Sequence, residues 1–113
     1  QKRVMLGDPA TAVAELGGEV PEDAVLDDAF PNPFNPSTTI RFKLPWEAHV
    51  TVKIFNSQGQ FVADLVDDTL GAGNFETTWD GKDANGVEVS SGVYVYKINA
   101  PGLNLSKKVT FLK

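Results

Sequence analysis

Cysteine is missing from this 113-residue chain. That excludes a disulfide framework, a thiolate zinc site and a thiol nucleophile. Histidine occurs once, as His49, so clustered imidazole ligands are excluded and a Ser–His–Asp arrangement has one base to draw on. No apolar run approaches the roughly 18 residues of a membrane span, and no membrane insertion is expected. The front end lacks the apolar core of a secretion signal, and an initiator Met, so a fragment of a longer protein is expected. Clustered basic residues are missing too. Lys and Arg number 10 against 15 Asp and Glu, a formal net charge of −5. Residues 1–30 hold Lys2 and Arg3 against Asp8, Glu15, Glu19, Glu22, Asp23, Asp27 and Asp28, so the acidic excess lies there. The remainder is balanced, which argues against a nucleic-acid partner.

What is present is dominated by PNPFNPSTTI, Pro31 to Ile40. Pro31, Pro33 and Pro36 fix φ and remove three backbone donors, so neither a helix nor a central strand runs through them. A stiff, extended lead-in is expected, with Phe34 as its apolar anchor. Upstream, Val4–Leu6 is a short apolar turn of helix or strand, broken by Gly-Asp-Pro. Ala10–Leu16 reads as two helical turns with Asp8 as cap and Pro9 in the first position. Residues 17–28 combine Gly-Gly, Pro and acids, and read as an extended linker.

From Thr38 the hydrophobic period is two. Ile40, Phe42 and Leu44 alternate with polar residues until Pro45; Val50, Val52 and Ile54 follow, then a turn at Asn56–Gly59. Phe61, Ala63 and Leu65 form the next face, and Asp67–Gly73 reads as a breaker. Phe75, Thr77 and Trp79 share a face; a polar loop, Asp80–Gly86, leads to a short strand near Val87–Val89. Val93–Ile98 is apolar on both faces and is expected to be central. Leu103, Leu105, Val109 and Phe111 mark the last strand. About seven short strands with closely spaced turns define an all-β, immunoglobulin-like antiparallel sandwich. Residues 1–28 are assigned to the tail of an upstream domain plus an acidic linker, and 29–113 to the sandwich. Trp46, Trp79, Phe42, Ile54, Tyr94 and Phe111 are the expected core fillers.

Catalytic equipment is thin. His49 precedes a strand on the face of Thr51 and Lys53, a solvent-facing position, and Ser90 and Ser91 sit on no nucleophile elbow. Asp80, Asp83 and Asn85 are oxygen ligands at close spacing and form a weak calcium candidate. Aligned on its Asn-Gly, however, the EF-hand pattern places Gly81 at the first ligand position and Gly92 at the bidentate Glu. Asx turns account for the same residues. No metal, no cofactor and no enzyme activity are expected. Lys107, Lys108 and Lys113 read either as an edge-strand guard or as a recognition tail.

Three landmarks in order, PNPFNPSTTIRFKLP, WDGKDANGVEVSSGVYVYKI and KKVTFLK, resemble the C-terminal sorting domain of type IX (Por) secretion cargo in Bacteroidetes and neighbouring phyla. The resemblance covers Phe30–Lys113. It implies an address label read by the outer-membrane translocon, with Pro31, Asn32, Pro33, Gly92, Tyr94, Lys107, Lys108 and Lys113 as recognition residues. It also implies a sortase-like peptidase that removes the domain, and a secreted or cell-surface destination reached via the periplasm. The acidic stretch Gly17–Asp28 would carry the cleavage site. The middle segment is equally similar to the Ig-like domain of flagellar hook-capping proteins and to accessory domains of secreted hydrolases. A structural or ligand-binding accessory module is therefore the alternative. VMLGDPATAV, from Val4, resembles the last strand of gingipain-like cysteine peptidases, which admits such a peptidase as the upstream cargo.

Overall fold

The computed structural model describes residues 13–113. The expectations for Val4–Leu6, for the Asp8 cap and for the peptidase-like Gly-Asp-Pro lie outside the described residues. Among the described residues, eight strands form two four-stranded sheets. They are β1 (Val13–Leu16), β2 (Val25–Leu26), β3 (Thr38–Leu44), β4 (Ala48–Asn56), β5 (Phe61–Leu70), β6 (Gly73–Trp79), β7 (Gly92–Ala100) and β8 (Leu103–Phe111). The first sheet runs β1-β6-β3-β2 and the second β5-β4-β7-β8, with every strand pair antiparallel. This is the immunoglobulin-like sandwich that the alternation requires, because each sheet has one apolar face to bury.

The period-two reading holds where strands are regular. Ile40, Phe42 and Leu44 of β3 and Val50, Val52 and Ile54 of β4 point inward and are fully buried. Phe75, Thr77 and Trp79 line the inner face of β6. The central placement expected for Val93–Ile98 is also found, with β7 between β4 and β8. The turn at Asn56–Gly59 is closed by Asn56, whose Oδ1 accepts from the N–H groups of Gln58 and Gln60. Gly59 takes positive φ.

Several expectations are corrected. Val13–Leu16 is a strand, not the helical turns read over Ala10–Leu16. Pairing with β6 satisfies one edge of its backbone and buries Val13, which a two-turn helix alone cannot match. Within the stretch read as linker, Val25 and Leu26 join β3, and Leu26 is buried. In β5 the simple alternation fails. Register irregularities between Val52 and Lys53 and between Ile54 and Phe55 bury Val62 with Ala63 and Leu65 with Val66, and leave Phe61 half exposed. The breaker read at Asp67 begins later. β5 runs to Leu70 because Asp67 and Thr69 face solvent along an edge strand opposite Thr51 and His49. Near Val87–Val89 there is only a bridge between Lys82 and Glu88, and Val87 is exposed. Trp46 is not core. It follows Pro45 in the β3–β4 turn, where no strand register directs it inward, and is 45% exposed.

An aromatic cluster joins the sheets at one end. Trp79 of β6 meets Tyr94 of β7 edge-on at 5.1 Å and Phe34 at 5.3 Å, and Phe34 stacks on Phe111 of β8 at 4.9 Å. The indole Nε1–H donates to the Lys82 carbonyl at 2.9 Å. Beneath the cluster, Gly81 has φ +74°, and a Cβ there would lie 2.9 Å from the Phe111 ring. Space and backbone both require glycine.

The acidic stretch is tied down at its far end. The Tyr96 hydroxyl donates to the Asp27 carbonyl at 2.7 Å, and Lys107 Nζ lies 3.1 Å from Asp28 Oδ1. Burial, aided by the charges of Asp28 and Asp27 and opposed by a backbone hydrogen bond, pushes the Tyr96 phenol up to about 12 from an ordinary 10.0. A phenol that ionises later when folded stabilises the fold fully below pH 10. That contribution disappears as pH rises towards 12, because the unfolded chain gives up its proton first. The urea midpoint should therefore fall more steeply above pH 10 for the native sequence than for Tyr96→Phe. Parallel pH curves for the two proteins would refute the linkage.

Candidate functional site

The recognition residues read from sequence converge on one end of the sandwich. Asn32 Oδ1 accepts from the Thr110 N–H at 2.9 Å. The Phe34 N–H donates to the Thr110 carbonyl at 2.9 Å, and the Leu112 N–H donates to the Phe34 carbonyl at 3.1 Å. The proline segment thus adds one parallel bridge, Phe34 to Phe111, on the outer edge of β8. Thr38 Oγ1 donates to the Pro31 carbonyl at 2.7 Å, which ties the segment to β3 as well. Prolines suit this place because a residue without an N–H ends a ladder, and Pro31 and Pro33 stay exposed beside the edge. Phe34 is the buried anchor that the sequence called for.

Gly92 lies opposite Phe111, and Tyr94 opposite Val109. Tyr94 is buried under Trp79, its hydroxyl donating to the Ser90 carbonyl at 2.6 Å. Its ring is closed to solvent. The lysines are on the surface. Lys108 is exposed on the outer face opposite Val95, whereas Lys107 turns to Asp28. Lys113 Nζ lies 3.7 Å from Glu88 Oε1, and its N–H donates to Ser91 Oγ at 2.9 Å. Since Thr110 directs its backbone groups outward, strand alternation directs those of Lys108, Ser106 and Asn104 outward too. Among the described residues no backbone partner meets them there.

The calcium candidates are used by the loop itself. Asp83 Oδ1 accepts from the N–H groups of Asn85 and Val87, and Asp80 Oδ1 from that of Lys82. Among the described residues no group of three or more His, Asp or Glu side chains is placed to hold a metal ion. The loop also covers the opposite edge of the second sheet, where the Ala84 N–H donates to the Val62 carbonyl at 2.9 Å. His49 faces solvent as expected, with Nε2 2.7 Å from Asp67 Oδ1 and Nδ1 3.2 Å from Thr69 Oγ1. Sequence reasoning missed Thr110, Ser91, Asp28 and Glu88, which fix the segment and the lysines in place. These are ordinary surface residue types with no spacing signal; only the register reveals them.

The fold and this corner define an immunoglobulin-like sandwich closed by its lead-in and its last strand. The chain belongs to the FlgD Ig-like domain family, whose model matches residues 32–102. Lys107, Lys108 and Lys113 lie beyond the matched stretch. Among solved structures, dimeric latent PorU from Porphyromonas gingivalis is similar with TM-score 0.61 and 27% identity, over 86% of this chain and 10% of that one. PorZ, a surface component of the type-IX secretion system of the same organism, is similar with TM-score 0.53 and 22% identity, over 80% of this chain and 11% of that one. FlgD from P. aeruginosa matches with TM-score 0.53 and 23% identity, over 66% of this chain and 59% of that one. The chain therefore spans about a tenth of the length of PorU and of PorZ. No curated protein matches the sequence.

Proposed function

We propose that this domain is a non-catalytic sorting signal that directs a larger cargo across the outer membrane through the type IX secretion system. A sortase-like peptidase then removes it during surface attachment or release. The observation that carries the reading is the corner where Asn32 and Phe34 bond to Thr110 and Leu112. It brings the proline motif and the lysine strand, distant in sequence, onto one surface. Their exposed parts, Pro31, Asn32, Pro33, Lys108 and Lys113, offer a rigid docking face, and the outward groups of β8 offer strand addition. Gly92 and Tyr94 act through the fold that holds this face. The likeness to PorU, and to PorZ of a type-IX secretion system, supports the same assignment.

The test is a secretion assay with the whole 113-residue chain, since β1 and β2 belong to the sheet. It is placed behind a signal peptide and a fluorescent reporter in a type IX-competent bacterium. The intact fusion should appear outside the cell, and the triple variant K107E/K108E/K113E should stay in the periplasm while keeping its cooperative melt. Equal retention of both fusions would sink the sorting role and favour an accessory module. Equal export of both would remove the lysines from recognition.

A further inference from the structure

On the outer face of the first sheet lies a hollow of about 540 Å³, lined by Asp27, Asp28, Phe30, Thr39, Arg41 and Glu76. Phe30 pairs by its backbone with Thr39, which fixes the ring at the rim, yet the residue is 79% exposed. An aromatic ring held on rigid backbone and left uncovered is unusual for a residue that folding alone would bury. Arg41 Nε meets Glu76 Oε1 at 3.1 Å, and Asp28 meets Lys107. The Asp27 carboxylate has no ion-pair partner among the described residues.

The lining holds three carboxylates against one guanidinium. Residues 13–30, whose strands flank this sheet on both edges, carry Glu15, Glu19, Glu22, Asp23, Asp27 and Asp28 and neither Lys nor Arg. The outer face of the second sheet is mixed: it carries Lys53, Lys97 and Lys108 together with Asp64 and Asp67, and Lys97 lies over the Phe55 ring. The aromatic hollow thus lies beside the acidic part of the chain, with Asp27 as its unpaired charge.

We infer that this hollow docks a basic peptide segment of a partner protein, one Arg or Lys side chain lying across Phe30 with its cation at Asp27. The aliphatic stem of such a side chain covers the exposed ring, the cation gains both the ring quadrupole and the carboxylate, and the Thr39 hydroxyl, whose backbone groups bond Phe30, is left for the peptide. An acidic ligand meets net repulsion here, and a neutral sugar leaves the Asp27 charge unanswered. The proposal is independent of the export reading, because it is tested on the purified chain.

The experiment is fluorescence anisotropy of a labelled arginine–glycine repeat peptide against the whole chain, with a glutamate–glycine peptide and a neutral oligosaccharide as comparators. The basic peptide alone should bind saturably, more weakly at higher salt. Phe30→Ala and Asp27→Asn should each weaken it about threefold or more without shifting the melting temperature. Asparagine at 27 keeps the backbone carbonyl that Tyr96 uses. Phe61→Ala, on the other sheet, should leave binding unchanged. Equal binding by the native chain and both hollow variants would reduce the effect to general charge attraction and overturn the site. So would an absence of saturable binding, or saturable binding of the oligosaccharide instead.

Discussion

Trp79→Ala should lower the unfolding free energy by about 3–5 kcal/mol, read from the shift of the urea midpoint at unchanged slope. Trp79 is 1% exposed and touches residues from three separate parts of the chain, Phe34, Tyr94 and Phe111. Removing the indole opens a void between the sheets that the flanking strands cannot close without breaking register. It also strips the Lys82 carbonyl of its donor, which loosens the start of the Asp80–Gly86 loop. Trp79→Phe should recover about half of the loss, since a phenyl ring refills part of the space but not the hydrogen bond. A loss below about 1 kcal/mol for the alanine variant would contradict the packing.

Deleting Lys107–Lys113 should abolish the folded state altogether. The deletion removes Val109 and Phe111, both buried, and half of the β7–β8 ladder. It also leaves Phe34 and Asn32 without the backbone groups that hold the proline segment. Losing two core side chains costs about 5 kcal/mol or more, comparable to the total stability of a domain this size. The expected result is loss of the cooperative thermal transition and collapse of the amide proton dispersion. A truncated protein that still melts cooperatively would show that the C-terminal half of β8 is dispensable. Loss of export on deleting this tail would report unfolding as much as recognition. Charge reversal at the three lysines separates the two.

The strands were legible because alternation and burial coincide: Ile40, Phe42, Leu44 and Val50, Val52, Ile54 were placed correctly by period alone. Phe34 was legible for another reason, as the one large apolar residue among prolines. Three kinds of information were not legible. β5 hides a register shift, and period-two reasoning has no signal for bulges. β1 and β2 are too short, at four and two residues, to declare themselves, and exist because β6 and β3 offer open edges. Trp46 resembles core by size alone, whereas its place after Pro45 keeps it out. At the corner, sequence supplied Asn32, Gly92 and the lysines as separate motifs. That Asn32 reaches Thr110 is a fact of register, and no local pattern encodes it.

The bond from Thr110 to Asn32 spans 78 positions of the chain. Contacts so far apart in sequence form late, because the whole intervening loop must close before they contribute. While β8 is unpaired, Phe34 lacks the Phe111 ring on which it stacks, and Trp79 lacks one of its three aromatic neighbours. The corner where the lead-in meets the last strand is therefore expected to be the last part of the sandwich to close.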